Sequence, residues 1–491
     1  MIRPIIEEIN TPHSPEDLFK ALIVSANYPF FLDSGMAHGR LGAYSFLGSD
    51  PFLVFKSKRD LIQLEWKDGR REQFKSNPFL ALKDIFKKYD VPARNPNPES
   101  RNPNKFPPFT SGGVGYFAYD LKSFIEDLPD TSLDDLMLPD CIFGFYDSVV
   151  ICDNLNKKVY ISSSGLPEMN LTKNRNRAKA RLKEFKNKIL EGRDGKARKD
   201  RNLLPCRLRS NFSKASYIEA IERAKHYIKK GDIYQVNLSQ RFETELNEDP
   251  IELYLRLRAY CPAPFSAYLD FKDVKILSSS PERFLMKRGR YVETRPIKGT
   301  RPRGEDAPSD AALERELVNS QKDRAEHIMI VDLERNDLGR ICEFGSVRPT
   351  EVFVLEKYSN VFNLVSTVAG RLKKGMGPVD CLMAAFPGGS ITGAPKIRSM
   401  EIIEEIEPVK RSIYTGAIGY ISFDGEMDTC IVIRTFVVKD RKAYFSVGGG
   451  IVADSDPEAE YEETLYKAQG LMRSLGLEFH AGLAKRELVS I

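Results

Sequence analysis

Two acidic segments in the C-terminal half carry carboxylate pairs whose spacing suits a metal ion. Asp323 and Glu326 form the first pair, and Glu460 and Glu463 form the second. Residues three apart share one face of a helix, and Mg²⁺ takes one or two carboxylates together with waters and an anionic substrate. Two solvated helix faces are the alternative. The spacing therefore indicates a candidate magnesium site.

Glycines cluster at two places where the backbone could receive an anion. Residues 448–450 (Gly-Gly-Gly) follow a predicted strand. Their successive N–H groups are expected to form an anion-binding concavity, with a β-bulge or tight turn as the alternative. The run 387–396 resembles a phosphate loop, but Gly393 is followed by Ala-Pro where a phosphate loop has Lys-Ser/Thr. We expect no nucleotide site there.

Two basic residues stand where a charge is costly. Arg434 lies in an otherwise nearly apolar run, residues 430–438, that predicts a strand. It is therefore expected either to bridge a carboxylate of the protein or to bind an anionic ligand. Lys298 ends a predicted strand before a Gly- and Pro-rich turn. A desolvated lysine there has a lowered pKa and can act as a nucleophile, whereas a lone lysine is more often a surface residue.

Residues 233–239 alternate between apolar and polar side chains, which predicts a strand. Gln235, Asn237 and Ser239 share one face of it. A half-exposed strand would turn this face to solvent. If the face is interior, a polar ligand is needed to satisfy it.

The elements that must position these residues are predicted from capping signals and periodicity. Ser213 and Gly231 bound a helix with an apolar face. Residues 455–458 (Ser-Asp-Pro-Glu) predict a capping box that opens the helix of the second acidic pair. Strands occur in adjacent runs and do not alternate strictly with helices. This order favours an α+β fold with antiparallel sheets over a doubly wound parallel sheet.

Composition divides the chain into three regions. We expect an N-terminal region (1–165), a basic connector (166–209) and a C-terminal region (210–475). Between Lys173 and Arg209 there are 15 Lys/Arg against 4 Asp/Glu, a balance of +11 within a whole chain of +5, which leaves −6 elsewhere. Nucleic-acid binding through the connector is an alternative function. Because aromatic residues for base stacking are lacking there apart from Phe185, we expect no nucleic-acid partner.

Composition also indicates the cellular compartment. The 491 residues include seven scattered cysteines without a C-x-x-C pair, so neither a disulfide framework nor a zinc site is expected. The sequence shows no signal peptide and no run of ~18 apolar residues. We expect a cytoplasmic protein without a membrane partner.

Six motifs in one order resemble the chorismate-utilising enzymes. The family includes anthranilate synthase component I, aminodeoxychorismate synthase component I, isochorismate synthase and salicylate synthase. The motifs span essentially all of residues 210–468, and the N-terminal region is similar to that of the two aminating members. The resemblance implies large, mostly antiparallel sheets packed as a sandwich-like core flanked by helices. The motifs are the runs 280–283, 296–303, 325–340, 387–396, 414–416 and 448–455.

Two positions discriminate within the family. The water-adding members carry a lysine base where this chain has Gln235, which disfavours isochorismate and salicylate synthesis. Anthranilate synthases typically read Pro-Ile-Ala-Gly-Thr where this chain reads Pro-Ile-Lys-Gly-Thr, with Lys298 as the third residue. That lysine is similar to the one in aminodeoxychorismate synthases, which serve folate synthesis. An anthranilate synthase with an unusual lysine is the alternative.

The resemblance also implies residue roles. Lys298 would attack C2 of chorismate as the C4 hydroxyl leaves, and ammonia would then add at C4 and expel the lysine. Glu282 would be the general acid/base, and His327 would hydrogen-bond to or protonate the departing hydroxyl. Glu326 and Glu463 would bind Mg²⁺, supported by Asp323 and Glu460. Implied substrate contacts are Gln235, Thr300, Gly393, Tyr414, Arg434, Gly448, Gly449, Gly450 and Lys467.

Partners follow from the same resemblance. None of the seven cysteines lies in a Gly-x-Cys-x-Gly elbow, so a separate glutaminase subunit is expected to supply ammonia. The N-terminal run Leu32-Asp33-Ser34 departs from the Leu-Glu-Ser of the family's tryptophan pocket. Ser34 is therefore a candidate for that pocket, with tryptophan either structural or inhibitory.

Overall fold

The fold is built from two large sheets with ten helices around them in the described residues. The computed structural model describes residues 2–24, 26–36, 41–92, 107–190, 207–358, 361–477 and 488–490. Every strand pair is antiparallel except one, at residues 208–210 and 488–490. The predicted α+β class with antiparallel sheets is confirmed. No helix in the described ranges is long and apolar enough to cross a membrane.

The first sheet has 13 strands and holds the predicted polar strand near one end. Its order is β1-β10-β9-β3-β2-β13-β14-β23-β24-β12-β11-β25, and β20 also pairs with β12. The strands are β1 (Ile5–Ile9), β2 (Phe30–Asp33), β3 (Tyr44–Gly48), β9 (Ser148–Asp153), β10 (Lys158–Ser163), β11 (Leu208–Ser210), β12 (Gln235–Glu245), β13 (Phe265–Asp270), β14 (Lys275–Ser280), β20 (Gly393–Ala394), β23 (Thr435–Lys439), β24 (Lys442–Ile451) and β25 (Leu488–Ser490).

The second sheet has 12 strands and carries Lys298 near one edge. Its order is β17-β19-β16-β15-β22-β21-β7-β8-β4-β5-β6, and β18 also pairs with β19. The strands are β4 (Leu53–Lys58), β5 (Leu61–Trp66), β6 (Arg71–Lys75), β7 (Gly112–Phe117), β8 (Cys141–Tyr146), β15 (Arg283–Arg288), β16 (Tyr291–Arg295), β17 (Ile297–Pro302), β18 (Arg348–Lys357), β19 (Val361–Arg371), β21 (Ala417–Ser422) and β22 (Met427–Ile431).

Helices flank both sheets, and their ends follow capping chemistry. The helix predicted from Ser213 and Gly231 is confirmed, because Ser213 caps its first turn and Gly231 ends it at φ 82°. The helices are α1 (Pro15–Ile23), α2 (Pro78–Lys88), α3 (Leu171–Leu190), α4 (Lys214–Lys230), α5 (Pro250–Tyr260), α6 (Ala307–Asn319), α7 (Gln321–Gly339), α8 (Pro378–Ala385), α9 (Lys396–Ile406) and α10 (Pro457–Ser474).

The start of α10 differs from its prediction. Asp456, not Ser455, is the N-cap, and its side chain accepts a hydrogen bond from the Ala459 N–H. The Ser455 hydroxyl instead donates to Glu460 at 2.7 Å. The predicted capping box is therefore wrong, since the serine hydroxyl binds the carboxylate of Glu460 in the first turn of α10.

The core has three layers. One cluster packs the first sheet against helices, with Tyr217 and Leu465 among its members, and another packs the second sheet, with Phe117 and Leu382. The third cluster contains side chains from both sheets, so it lies between them and makes the sandwich.

Both sheets cross the predicted regional boundaries. In the first sheet β2 of the N-terminal region pairs with β13 of the C-terminal region, and in the second β7 pairs with β21. Part of the basic connector is the helix α3, which contacts β9 and β10. The loop predicted at residues 191–196 lies outside the described residues. The three-region division stays a prediction.

Candidate active site

The polar face of β12 lies inside the protein. Gln235, Asn237 and Ser239 are all buried, which confirms the interior alternative for this strand. Ser239 donates its hydroxyl to Glu407 at 2.9 Å. The Oε1 of Gln235 and the Oδ1 of Asn237 have no partner among the described residues. Since a buried polar atom without a partner is costly, this face is prepared for a polar ligand.

The three glycines lie opposite this face on β24. They continue the strand, with Gly450 opposite Asn237 and Gly448 opposite Ser239. The expected concavity of successive N–H groups is therefore wrong, because neighbouring N–H groups of a strand point in opposite directions. A bulge or turn is equally absent at these paired residues.

The glycines instead give room to side chains that cross β24. A Cβ on Gly450 would lie 2.3 Å from the Gln235 Nε2 and 3.7 Å from the Lys298 Nζ. A Cβ on Gly449 would lie 3.2 Å from a Glu460 carboxylate oxygen and 3.9 Å from one of Glu463. The structure thus brings the predicted lysine, amide and carboxylates to one short stretch of strand.

Lys298 lies within β17, not at the end of a strand as predicted. The pairing of β17 with β19 shifts register between Ile297 and Thr300, and Gly299 takes φ 85°, so the strand bulges at the lysine. Burial, reinforced by the positive charge of Lys467, lowers the pKa of Lys298. The side chain therefore favours the neutral, nucleophilic amine more than an exposed lysine does.

Glu282 is buried just after β14. Burial raises the pKa of its carboxyl, against the Ser390 hydroxyl and the charge of Lys298, which lower it. The Ile297 N–H lies 3.4 Å from its Oε1. A carboxyl with a raised pKa beside a lysine with a lowered pKa is suited to general acid/base chemistry.

His327 is fully buried on α7 behind the lysine. Its Nδ1 lies 3.2 Å from the Lys298 carbonyl oxygen, and its Nε2 has no partner among the described residues. Burial lowers the pKa of His327 to about 4. The imidazole is therefore neutral at pH 7 and suited to hydrogen bonding more than to donating a proton.

All four predicted metal carboxylates interact electrostatically. Burial raises the pKa of Glu326, and the charges of Asp323 and Glu460 raise it further. Burial also raises the pKa of Glu460, and the charge of Glu463 adds to this shift. Lys467 lowers the pKa of Glu463, to which it is paired at 2.7 Å. The fourth carboxylate, Asp323, is paired with Arg301 at 2.9 Å.

This donor set fits a magnesium ion. Within the described ranges no group of three or more His, Cys, Asp and Glu side chains forms a ready metal cage. Mg²⁺ keeps several waters and needs only one or two carboxylates plus substrate oxygens. Glu326 and Glu460, whose negative charges burial disfavours, would be stabilised by a cation between them.

Other predicted contacts lie apart from Lys298. Arg434 is not in a strand, because β22 ends at Ile431 and β23 begins at Thr435, with Arg434 in a bend at φ 51°. That correction follows from the left-handed backbone, which interrupts sheet pairing. No carboxylate of the described residues forms an ion pair with Arg434, which leaves its charge for an anion.

The remaining predicted contacts differ in burial and in their partners. Tyr414 is half-buried next to Thr415, whose N–H donates to the Val432 carbonyl. Gly393, in β20, pairs with Val236 of β12. Thr300 is exposed, and its hydroxyl donates to Asn363 at 2.9 Å. The Lys467 Nζ donates to the Gly448 carbonyl at 2.9 Å.

The structure adds site residues that sequence reasoning missed. Asn363 is buried, and its Nδ2 has no partner among the described residues although its Oδ1 binds Thr300. The Ser390 hydroxyl lowers the pKa of the Glu282 carboxyl. Neither position has an unusual spacing; the polar residues inside the otherwise apolar β19 were the one available signal for Asn363.

A cavity elsewhere in the protein includes Ser34. Its hydroxyl donates to the Tyr44 carbonyl at 2.7 Å, and its N–H donates to Ser45. Apolar walls come from Phe46 and Tyr420. Charged groups at the cavity are paired, as Asp33 is with Arg258 and Arg283 is with Asp428.

Comparison with known proteins agrees with this geometry. Residues 50–473 match the family of chorismate binding enzymes. The chain belongs to this family. It is 40% identical over 482 residues to anthranilate synthase component 1 of Acetivibrio thermocellus, covering 96% of this chain and 95% of that one. It is 38% identical over 463 residues to aminodeoxychorismate synthase component 1 of Bacillus subtilis, covering 94% of each.

A solved structure gives the same assignment for this chorismate binding enzyme. The crystal structure of anthranilate synthase component I from Streptococcus pneumoniae matches with a TM-score of 0.75 at 31% identity, covering 89% of this chain and 94% of that one. The predicted sandwich-like fold of the family is therefore confirmed. Relatives with two different activities match almost equally well, so similarity does not choose between them.

Proposed function

We propose that this enzyme is component I of aminodeoxychorismate synthase, which aminates chorismate at C4. The observation that carries the proposal is Lys298, a half-buried lysine with a lowered pKa near Gln235, whose Oε1 has no partner among the described residues. An amine that bonds to C2 of the ring blocks amination there, which is the anthranilate reaction. The lysine therefore favours C4 over C2.

The proposed reaction has two displacements. The neutral Nζ of Lys298 bonds to C2, the ring double bonds shift, and the C4–O bond breaks. The hydroxyl leaves as water with a proton from Glu282. Ammonia then bonds to C4, the double bonds shift back, the C2–N bond breaks, and Glu282 recovers a proton from the new amine. The products are 4-amino-4-deoxychorismate and water, and the enolpyruvyl group is retained.

Other residues would bind and orient the substrate. The guanidinium of Arg434 and the ammonium of Lys467 supply charge for the carboxylates of chorismate. Gln235 and Asn363 offer polar atoms that lack protein partners. The neutral imidazole of His327 would hydrogen-bond near the departing hydroxyl.

Glu326, Glu460 and Glu463 would hold Mg²⁺, with Asp323 behind them. When bound, the ion would neutralise the ring carboxylate of chorismate. Glu326 and Glu460 are suited to this because each is destabilised as an anion by burial. A separate glutaminase component is proposed as the source of ammonia, since the relatives are named component 1.

Product identification tests the proposal. Chorismate, Mg²⁺ and an ammonium salt are supplied to the purified chain, and products are separated by chromatography and identified by mass. We expect 4-amino-4-deoxychorismate without pyruvate. Anthranilate with an equal amount of pyruvate would assign the alternative, anthranilate synthase.

We also propose that the cavity at Ser34 takes tryptophan. Its aromatic walls and paired charges support an indole with an amino acid end. Calorimetric titration with tryptophan, with and without chorismate, measures binding and separates an inhibitory from a structural role. Ser34→Leu should abolish the heat of binding, and an unchanged heat would reject the cavity as the site.

A further inference from the structure

Glu334 is a buried acid that the proposed reaction does not use. It lies on α7, two turns after Glu326, with 2% of its surface exposed. Its Oε1 accepts the Gly389 N–H at 3.1 Å. Its Oε2 is buried and has no partner among the described residues.

The neighbours of Glu334 keep it uncharged. Lys396, the nearest cation, donates to Asp337 at 2.5 Å and to the Ala385 carbonyl at 3.0 Å, so its charge is already paired. Burial, with the charge of Asp337 adding to it, raises the pKa of Glu334 to about 8. Lys396 opposes this shift and the charge of Glu282 adds to it.

A short turn connects Glu334 to Glu282. Gly389 opens the 3₁₀ turn of residues 389–391, and the hydroxyl of the next residue, Ser390, lowers the pKa of the Glu282 carboxyl. The turn presses against α7 so closely that a Cβ on Gly389 would lie 2.6 Å from Leu333 and 3.1 Å from the Glu334 Oε1. The position of Ser390 therefore depends on the hydrogen bond that Glu334 accepts.

We propose that Glu334 is a positioning residue for the general acid/base: by accepting the Gly389 N–H it holds the 389–391 turn, and with it Ser390, against Glu282. The inference rests on the proposed function only in that Glu282 acts as acid/base. An ionised Glu334 would place a second negative charge toward Glu282 and raise the pKa of that carboxyl in turn. Glu282 would then remain protonated and could not accept the proton of the attacking ammonia.

The test is the pH dependence of kcat in Glu334→Gln. Gln keeps an oxygen for the Gly389 N–H but cannot ionise. Chorismate consumption is followed from about pH 6.5 to about pH 9.5, across the Glu334 pKa of about 8, with chorismate, ammonia and Mg²⁺ saturating. We expect wild-type kcat to fall above about pH 8, and Glu334→Gln to match wild type within about two-fold at pH 7 without that fall.

Further variants separate positioning from mere packing. Glu334→Ala loses the acceptor, so kcat should fall about ten-fold or more at every pH, with the KM for chorismate changed less. Asp332→Asn, on the exposed face of the same helix and paired with Arg335, should behave as wild type. An alkaline fall that persists unchanged in Glu334→Gln overturns the inference, even if Glu334→Ala does not fold. A wild type that consumes no chorismate would instead refute the proposed function.

Discussion

Two regions of this enzyme, the candidate site around Lys298 and the cavity at Ser34, treat their polar groups in opposite ways. Around Lys298, the Oε1 of Gln235 and the Nε2 of His327 are buried without partners among the described residues. Around Ser34, the buried charges are paired, as Asp33 is with Arg258 and Tyr254. The polar atoms of the Lys298 site gain partners only when a ligand binds. The charged groups of the Ser34 cavity already have partners within the protein.

This difference separates activity from stability. A buried polar atom without a partner costs about 1–3 kcal/mol, which the protein bears until a ligand satisfies it. A buried ion pair that loses one member costs about 3–5 kcal/mol, because the other charge remains buried. Substitutions in the Lys298 site should therefore change catalysis more than folding. Substitutions in the Ser34 cavity should change folding more than catalysis.

Replacing the nucleophile should give the largest effect. Lys298→Ala should lower C4 amination at least about 10⁴-fold, equivalent to about 5.5 kcal/mol, because no amine remains to attack C2. Turnover with ammonium measures this effect. Lys287→Met is the matched control, since Lys287 is also buried with a lowered pKa but donates to Gly425. C4 amination unchanged in Lys298→Ala would defeat the nucleophile hypothesis.

Breaking the paired cavity should chiefly affect folding. Arg258→Met should lower the free energy of unfolding by about 3–5 kcal/mol, because it strands the Asp33 carboxylate. Burial already raises the pKa of Asp33 despite Arg258. Asp33 therefore contributes its full stability at pH values below its pKa in the unfolded chain, and this contribution is lost as pH rises through its pKa in the folded protein. Arg258→Met should therefore be least stable at high pH.

Urea denaturation at several pH values measures the Arg258→Met effect, with chorismate turnover of the folded fraction as the second readout. A variant as stable as wild type at high pH would show that the ion pair of Asp33 with Arg258 is not needed for stability. Reduced turnover with wild-type stability would contradict the separation of the two regions.

Weakening the proposed magnesium site should have an intermediate effect on activity alone. Glu463→Gln should raise the Mg²⁺ concentration for half-maximal turnover about 10–100-fold, the range typical of lost metal-site support. Chelation should abolish wild-type turnover, and added Mg²⁺ should restore it. Glu462→Gln, one residue away on an exposed position, is the control. Equal Mg²⁺ dependence in both variants would place the ion elsewhere.

The smallest effect should also be the most discriminating. Gln235→Met removes the partnerless Oε1 at similar size, so the free energy of unfolding should rise by about 1 kcal/mol while turnover falls. Thermal denaturation and turnover of the same preparation test both halves. A less stable variant would mean that Gln235 is satisfied in the free enzyme.

Local predictions succeeded where neighbours in sequence decide the outcome. The helix from Ser213 to Gly231 formed as expected, because its caps are local. The alternation at residues 233–239 correctly predicted a strand, β12, although Tyr234 precedes it and is exposed while Val236 and Leu238 are buried. Two local predictions failed. Ser455 binds Glu460, five residues further on, and does not cap the helix, and the run around Arg434 bends because it passes from one sheet to the other.

The sequence by itself determined the chemistry that this enzyme carries: the order of the motifs, the lysine in Pro-Ile-Lys-Gly-Thr and the acidic pairs at helical spacing. Only the tertiary structure decided in which of these groups the charged form is favoured and which polar atoms have hydrogen-bond partners. It showed that the glycines of β24 make room for Lys298 and Gln235. It also showed that Glu334 accepts the N–H of Gly389, the residue before Ser390. The physical reason is that desolvation and hydrogen bonding depend on every group packed nearby, and those groups come from segments far apart in the chain.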